Sequence, residues 1–320
     1  MKKKIIIVFL LSFLSAQSDF NKVGTAGALF LTIPTGAGSQ GLGRAYSGVA
    51  TGAVAAFWNP AALGFEREIS LFTGYTQWLL GLHHQASAVS FRFRRFTVGF
   101  SQKLLTTAPM AITTTREPRG TGETFRYLDL ALGVSVAKAF SDRFALGSTI
   151  RYVQESVSNI QAGGFSVDIG SYYKLGYKDL RMFMVLKNFG SDLKFRGTFL
   201  DTRVKGNIKE EVELEYGAFS LPLTFVFGMA GTIWQNEHYS FIGAVEAAHP
   251  SDYSQRLNLG GEFDWNSVLK IRSGYKLNYE QESWSVGFGY TMGKIVLDMA
   301  YSAMKDFPGV TSYSVQYNIK

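Results

Sequence analysis

The last ten residues of the chain alternate without a break between polar and apolar side chains. Tyr313, Val315, Tyr317 and Ile319 fall on one face of an extended segment, and the polar residues between them fall on the other. Side chains on a strand point alternately to opposite faces, so this segment has one apolar and one polar face. Such a strand fits a wall that has lipid on one side and a polar lumen on the other.

The same alternation recurs from Glu68 onward, in segments divided by turn-forming residues. Each segment is near or above the ~9–11 residues that a tilted strand needs to cross a bilayer. Because boundaries set from sequence shift by a few residues, twelve or sixteen strands remain compatible with the pattern. We count fourteen segments: 68–78, 83–93, 95–104, 123–138, 143–155, 162–176, 180–190, 219–233, 237–248, 253–263, 266–277, 281–291, 293–303 and 311–320.

The gaps between these segments alternate in length. Every second connection is a short turn, and the others include the two longest gaps, 105–122 and 191–218. Outer-membrane barrels have short periplasmic turns and longer external loops. An even number of strands with both termini on the periplasmic side is therefore consistent with the order of the gaps.

A closed barrel and a soluble sandwich are the two folds that could use so many amphipathic strands. Bilayer hydrocarbon cannot hydrogen-bond exposed backbone groups, so spanning strands must close on themselves. A soluble sandwich needs charged outer faces, whereas the outward positions here are Leu, Val, Ile, Phe, Tyr and Trp on most segments. The sequence predicts an all-β, closed antiparallel transmembrane barrel, with a periplasmic all-β domain as the alternative.

The first sixteen residues have the pattern of a secretory signal peptide. Met1–Lys4 are positively charged, Ile5–Leu14 are apolar, and Ser15 and Ala16 are small. The apolar run is too short for a spanning helix, which needs about 20 residues. We expect cleavage after Ala16 and export to the outer membrane of a Gram-negative-type envelope.

Composition agrees with this class and excludes others. Only 18% of the residues are charged, against about 25% in typical soluble domains, and 15% are aromatic. The absence of Cys excludes disulfides and thiol chemistry. Without Lys2, Lys3 and Lys4 of the signal peptide, 29 basic residues face 25 acidic ones, a formal charge of +4. That charge is too small to indicate a nucleic-acid partner.

Residues 17–66 differ from the barrel segments that follow at 67–320. They are rich in Gly and Ala and only weakly periodic. Glycines allow close approach of two backbones, and a residue before Pro is pushed out of helical conformation. We predict an N-terminal plug or hatch segment inside the lumen. The hatch residues singled out on this basis are Gly41, Gly43, Asn59 and Pro60.

Three blocks of this segment, Ala28–Ile33, Gly41–Tyr46 and Ala55–Gly64, resemble the N-terminal region of the PorV/PorQ family. That family is part of the wider FadL-like group of fourteen-stranded outer-membrane barrels, in which Asn-Pro-Ala is a shared hatch motif. The motif match covers about residues 23–64, and the resemblance adds Arg44 and Trp58 to the hatch motif. The rest of the chain agrees only in strand pattern, length and lack of Cys.

The resemblance implies one of two roles. A PorV-like protein serves type IX secretion, with a translocon and exported cargo proteins as partners, and this accessory role is our main expectation. A FadL-like protein moves hydrophobic small molecules past the hatch to a lateral opening in the wall, and this channel is the alternative. Loops 105–122 and 191–218 could bind partners, and residues 79–80 and 108–112 could form an apolar vestibule. Ordinary solvated loops and interface anchors would have the same composition.

Basic residues at the strand positions that are predicted to face inward could line the lumen. Inward charges can favour anionic solutes. They can equally pair with Asp168, Glu246, Glu262 and Asp298 and with hatch carbonyls, and thereby brace the plug, which is the interpretation we favour. The candidate lumen charges are Arg143, Arg151, Arg256, Lys270, Arg272 and Lys276.

No arrangement of residues predicts catalysis or a cofactor. The four His are His83, His84, His238 and His249, and neighbours on a strand point to opposite faces. They are not spaced as the base of a nucleophile–base pair, and they are not part of a cluster of metal-ligand residues. Gly41 and Gly43 lack the strand–turn–helix setting of a dinucleotide fingerprint. We expect a protein that is not an enzyme and that has outer-membrane lipid around it.

Overall fold

The computed structural model describes residues 23–158, 160–205 and 208–319. The predicted signal peptide, residues 1–16, lies outside the described residues. Within them, fourteen strands form one closed antiparallel barrel, and pairing of the first strand with the last closes it. The predicted fold class and the count of fourteen strands are confirmed.

Twenty strands are described, fourteen in the wall and six in loops. The wall strands are β1 (Ile69–Gln77), β2 (His83–Phe93), β3 (Phe96–Thr106), β6 (Tyr127–Ala139), β7 (Phe144–Val157), β8 (Ile160–Lys174), β9 (Arg181–Gly190), β14 (Thr224–Gln235), β15 (Tyr239–Pro250), β16 (Arg256–Trp265), β17 (Leu269–Leu277), β18 (Glu282–Met292), β19 (Ile295–Met304) and β20 (Val310–Ile319). The loop strands pair as β4 (Met110–Ala111) with β5 (Thr124–Phe125), β10 (Leu193–Lys194) with β13 (Ala218–Phe219), and β11 (Thr198–Lys205) with β12 (Ile208–Glu215).

Strand β6 shows why the sequence forms a wall of this kind. Its outward side chains Leu132, Val134 and Val136 are each nearly half exposed, and the inward Ala131 and Ala137 are buried. The outward residues of the other wall strands are likewise mostly apolar and exposed. Lipid can cover this apolar outer surface, whereas water cannot do so without a large cost in free energy.

Two predicted strands start four or more residues later than the sequence pattern indicated. We predicted a strand from residue 123, but β6 begins at Tyr127, because Thr124–Phe125 pairs with a loop strand instead. We predicted another from residue 219, but β14 begins at Thr224. Phe219 pairs with Leu193, and Pro222 has no N–H to donate to the ladder.

The hatch is built from short helices inside the barrel. The α-helices are Ala37–Gly41 and Ala55–Trp58, and the 3₁₀ helices are Leu29–Thr32, Gly52–Val54 and Pro60–Phe65, with one more in the β1–β2 loop at Leu79–Gly81. Among the described residues, no helix has the length and apolar character needed to span a bilayer.

The two ends of the barrel differ. One end carries the short turns, such as β2–β3, and we call it the short-turn end; the other carries the loops with β4–β5 and β10–β13, and we call it the long-loop end. The hatch runs between them: the Ala28 N–H donates to Glu155 near the long-loop end of β7, and the Ala53 N–H donates to Ser70 at the short-turn end of β1. The hatch therefore spans the length of the lumen.

Candidate functional site

The hatch contacts the wall through backbone at strands β16 to β18, and we call this region the β17 contact. A Cβ added at Gly41 would lie 2.8 Å from the Cα of Gly287, and one added at Gly43 would lie 2.9 Å from the Cα of Gly274. Gly43 also has a φ of +60°, which a residue with a side chain rarely adopts. The glycines predicted from sequence thus allow two backbones to touch.

A second backbone contact lies at β7 and β8, and we call it the β7 contact. Asn59 caps the Pro60–Phe65 helix: its Oδ1 accepts the N–H of Ala61 at 3.0 Å, and its Nδ2 donates to the Ser171 carbonyl at 3.2 Å. A Cβ added at Gly147 would lie 2.5 Å from the carbonyl carbon of Pro60. The Asn-Pro pair therefore ends one helix, starts the next and fixes both against the wall.

Trp58 and Arg44 hold the hatch segments to one another and to the wall. The Trp58 indole N–H donates to the Thr35 carbonyl at 2.9 Å. Arg44 donates to the Thr32 carbonyl at 3.0 Å and forms an ion pair with Glu282 of β18. Burial disfavours the charged guanidinium, but Glu282, Tyr279 and Glu246 together more than offset this effect, and the pKa of Arg44 is raised.

Three of the predicted lumen charges form ion pairs next to the β17 contact. Arg272 binds Glu262 at 2.6 Å and Asp298 at 2.5 Å. Lys270 also reaches Glu262, at 3.2 Å, and Lys276 binds the Arg44 partner Glu282 at 2.9 Å. Arg272, Glu262 and Lys276 are nearly completely buried. These charges balance one another within the wall and hatch.

Arg151 braces the hatch directly, whereas Arg143 lies elsewhere. Arg151 binds Asp168 at 2.6 Å and donates from its second Nη to the hatch carbonyl of Ala56 at 3.0 Å. Arg143, which we expected in the lumen, is exposed in the β6–β7 turn. The Ser141 hydroxyl accepts the N–H of Arg143 and forms that turn, so the strand begins one residue later, at Phe144.

A cavity of about 280 Å³, which we call the vestibule, lies between the hatch and the long-loop half of the wall. Hatch residues Pro34, Thr35 and Trp58 line one side of it, and β9, β15 and β16 contribute the other. Its lining mixes aromatic rings with charged groups. Leu80, which sequence composition suggested for an apolar vestibule, is instead 86% exposed in the β1–β2 loop.

The cations of the vestibule differ from those of the β17 contact. The Lys187 ammonium lies 4.6 Å from the centre of the Trp58 ring, and the Arg256 guanidinium lies 4.6 Å from the ring centres of Tyr253 and Tyr279. Lys103 donates to the Leu31 carbonyl at 2.9 Å. Across the described part of the chain, none of these three cations has a carboxylate within 4.0 Å.

We did not predict Lys103, Lys187 or the two tyrosines from sequence, although the alternation along the strands contains a signal for the two lysines. Lys187 has the same phase as the inward Phe183 and Val185, and Lys103 has the same phase as Ser101. Counting every inward cation, instead of those on the clearest strands, would have found both. Tyr253 and Tyr279 are in loops, where no periodicity indicates direction.

His83 and His84 are neighbours on β2, whereas His238 lies in the β14–β15 turn and His249 lies on β15. His84 is buried and inward, whereas its neighbour His83 accepts or donates a hydrogen bond to the Tyr75 hydroxyl at 2.7 Å. Within residues 23–158, 160–205 and 208–319, no group of three or more His, Asp or Glu is placed to hold a metal ion.

Comparison with known proteins identifies the fold. No protein-family model and no curated protein sequence matches this chain. Solved structures do: the toluene transporter TodX of Pseudomonas putida (TM-score 0.61, 15% identity, 89% of this chain and 97% of that one) and the toluene transporter TbuX of Ralstonia pickettii (0.58, 16%, 89% and 98%). A FadL homologue of Pseudomonas aeruginosa is also similar, with a TM-score of 0.56 and 13% identity over 90% of this chain and 99% of that one. The fold is that of the FadL-type barrels.

Proposed function

We propose that this protein is an outer-membrane channel for small hydrophobic or amphipathic molecules. The observation that carries the proposal is the vestibule, a small-molecule-sized cavity between the loops and a hatch in a membrane-spanning barrel. The likeness of the fold to two proteins described as toluene transporters supports it. It also favours the channel that the sequence offered as an alternative over the secretion role that was our main expectation.

We further propose that solutes pass while the hatch keeps its two backbone contacts with the wall. Releasing the β17 contact would separate Arg44 from Glu282 and expose the buried charges behind it. Breaking one partner from a buried ion pair costs about 3–5 kcal/mol. Between the two contacts, the hatch is held by apolar packing around Val54 and Phe57 and by single hydrogen bonds to Ala53 and Ala56, and we infer that this segment rearranges at lower cost.

Solute uptake tests the channel. Cells that make the protein and cells with an empty vector would be given radiolabelled toluene at low concentration, with a labelled disaccharide as the hydrophilic control. We expect faster toluene accumulation only in cells that make the protein. Equal toluene rates, with the protein confirmed in the outer membrane, would contradict the proposal.

A PorV/PorQ-like secretion accessory is the second candidate, and a loop feature favours it. The β11–β12 hairpin forms a two-stranded sheet of its own, separate from the wall. Its second strand carries Glu211, Glu213 and Glu215 on one exposed face. An unpaired sheet edge can add a strand from a partner protein.

Gentle purification from the native membrane tests this candidate. Co-purification of a very large barrel protein, or of exported proteins that share a C-terminal domain, would support the accessory role. Deletion of residues 198–215 should then remove that partner. A barrel recovered alone in both forms would contradict it.

A further inference from the structure

We propose that the vestibule selects small planar aromatic anions, such as an aromatic carboxylate, over aromatic cations and over carboxylates that are not planar. The inference rests on the proposed channel function and names the substrate class of its entrance. It follows from three observations: cations without carboxylate partners, aromatic faces already arranged beside those cations, and buried donors that lack an acceptor.

The first observation is that two cations of the vestibule have no carboxylate partner among the described residues. Lys187 and Arg256 both line the vestibule, and within the described part of the chain neither has a carboxylate within 4.0 Å. By contrast, Arg44 and Arg151, which also line it, are bound to Glu282 and Asp168. A partly buried cation without a counter-ion favours an anionic ligand, since charge-assisted hydrogen bonds are among the strongest that proteins form.

Carboxylates of the lining could compete with such a ligand, and their positions limit that competition. Asp168 and Glu282 are already paired with arginines. Glu246 attracts Lys187, but from beyond 4.0 Å, and it also accepts the N–H of Ser47 at 3.1 Å. Asp252 and Glu280 adjoin Tyr253 and Tyr279, the two rings that contact Arg256, but among the described residues neither carboxylate lies within 4.0 Å of that guanidinium.

The aromatic rings are the second observation. Each unpaired cation lies over a ring: Lys187 over Trp58, and Arg256 over Tyr253 and Tyr279. A planar ligand can therefore stack on a ring while its carboxylate reaches the neighbouring cation. Aromatic stacking adds about 0.5–1.5 kcal/mol beyond the burial of apolar area.

The unpaired donors are the third observation. The Nε of Arg256 and the hydroxyl of Thr35 are buried, line the vestibule and have no hydrogen-bond partner among the described residues. An unsatisfied buried polar group costs about 1–3 kcal/mol. A carboxylate in the vestibule supplies an acceptor for both.

Calorimetry on the full-length protein in lipid nanodiscs tests the proposal, with empty nanodiscs subtracted. The probes are benzoate, cyclohexanecarboxylate and benzylammonium, which have the same number of carbon atoms and differ in planarity or charge. We expect benzoate to bind at least tenfold more tightly than benzylammonium, and about two- to tenfold more tightly than cyclohexanecarboxylate. Equal affinities for benzoate and benzylammonium would overturn the charge argument, and equal affinities for benzoate and cyclohexanecarboxylate would overturn the stacking argument.

Variants locate the site. Lys187→Gln and Arg256→Gln should each weaken benzoate binding about tenfold, which corresponds to loss of one charge-assisted hydrogen bond. The matched control is Lys174→Gln: Lys174 also lies over an aromatic ring, 4.0 Å from the centre of Phe65, but at the short-turn end of β8. A change in migration of unheated protein on a gel would reveal misfolding. Unchanged benzoate affinity in both folded vestibule variants would overturn the proposal.

Uptake measured in parallel separates this inference from the channel function. If toluene enters cells through the protein but benzoate does not bind preferentially, the channel stands and the selectivity proposal fails. If benzoate binds as expected but neither compound enters faster than in control cells, the selective vestibule stands and the channel function fails.

Discussion

The two sides of the hatch are held in different ways. At the β17 contact, Gly41 and Gly43 touch the backbone of β17 and β18, and the charge of Arg272 next to them is fully balanced by Glu262 and Asp298. At the vestibule, the hatch presents Trp58 and Thr35 to an open space in which Lys187 has no carboxylate within 4.0 Å among the described residues. The charged groups of the first side are paired within the protein, whereas those of the second side are available to bind a ligand.

This difference explains how one lumen can hold a plug and admit a solute. Backbone-to-backbone contacts leave no space that side-chain movement could open, because the atoms involved are fixed by the strand and helix geometry. Unpaired side chains on the other side can change rotamer at small cost. We therefore expect substitutions at the β17 contact to affect stability most, and substitutions at the vestibule to affect binding most.

Replacing Arg272 with Gln should produce the largest effect on stability. The substitution leaves the buried carboxylates of Glu262 and Asp298 without their main partner, which we expect to lower the free energy of unfolding by about 3–5 kcal/mol. Lys270→Gln is the matched control: it removes another cation from Glu262, but one whose side chain is 28% exposed. Urea titration of the protein in lipid measures both. A similar small loss in the two variants would contradict the account.

Replacing Gly274 with Ala should release the hatch at the β17 contact. The new methyl group would overlap the backbone of Gly43, and such overpacking costs about 1–3 kcal/mol. Limited proteolysis of residues 23–66 measures the release. The control is Gly99→Ala, because a Cβ at this inward glycine of β3 would make ordinary contacts, the nearest at 3.4 Å. Equal protease resistance of the hatch in both variants would show that the contact is not needed.

Removing the helix cap at Asn59 should have a smaller effect. Asn59→Ala loses the acceptor for the Ala61 N–H and the donor to the Ser171 carbonyl, and a lost cap typically costs about 1 kcal/mol. Asn59→Ser keeps an uncharged oxygen acceptor at this completely buried position and should lose less. We expect the hatch to be cleaved fastest in the Ala variant, more slowly in the Ser variant and slowest in the native protein. The reverse order for the two variants would contradict the capping role.

The sequence predicted the wall better than the hatch and the vestibule, for a physical reason. Period-two alternation reports which face of a strand meets lipid, so the barrel and most inward cations, such as Arg151 and Arg272, could be located. Gly41, Gly43 and Asn59 could be recognised as unusual because backbone contact and capping restrict residue type. The vestibule could not be predicted, since it depends on where loop residues Tyr253 and Tyr279 meet Arg256.

The smallest predicted effect is a pH dependence at Glu66, near the short-turn end. Burial raises the pKa of this carboxyl above its ordinary value of 4.5, although the Gly52 N–H that it accepts opposes the rise. The folded state therefore binds the proton more tightly than the unfolded state, and this contribution to stability is lost as the pH rises through the raised pKa.

We expect hatch protease resistance to fall slightly over that pH range in the native protein. Glu66→Gln keeps an acceptor for Gly52 and carries no charge, so its profile should be flatter. A native profile that instead rises with pH would show that Glu66 is stabilised in its charged form.

Cysteine accessibility during uptake tests most directly whether the hatch stays in place while solutes pass. The native chain contains no Cys, so a single introduced thiol is labelled without background. Ser39→Cys lies in the Ala37–Gly41 helix at a completely buried position, and Leu80→Cys in the β1–β2 loop is the exposed control. We predict that a membrane-impermeant thiol reagent labels the residue 80 variant rapidly and leaves the residue 39 variant unlabelled, even while toluene uptake proceeds. Labelling of the residue 39 variant that appears only with the transported solute would contradict this account.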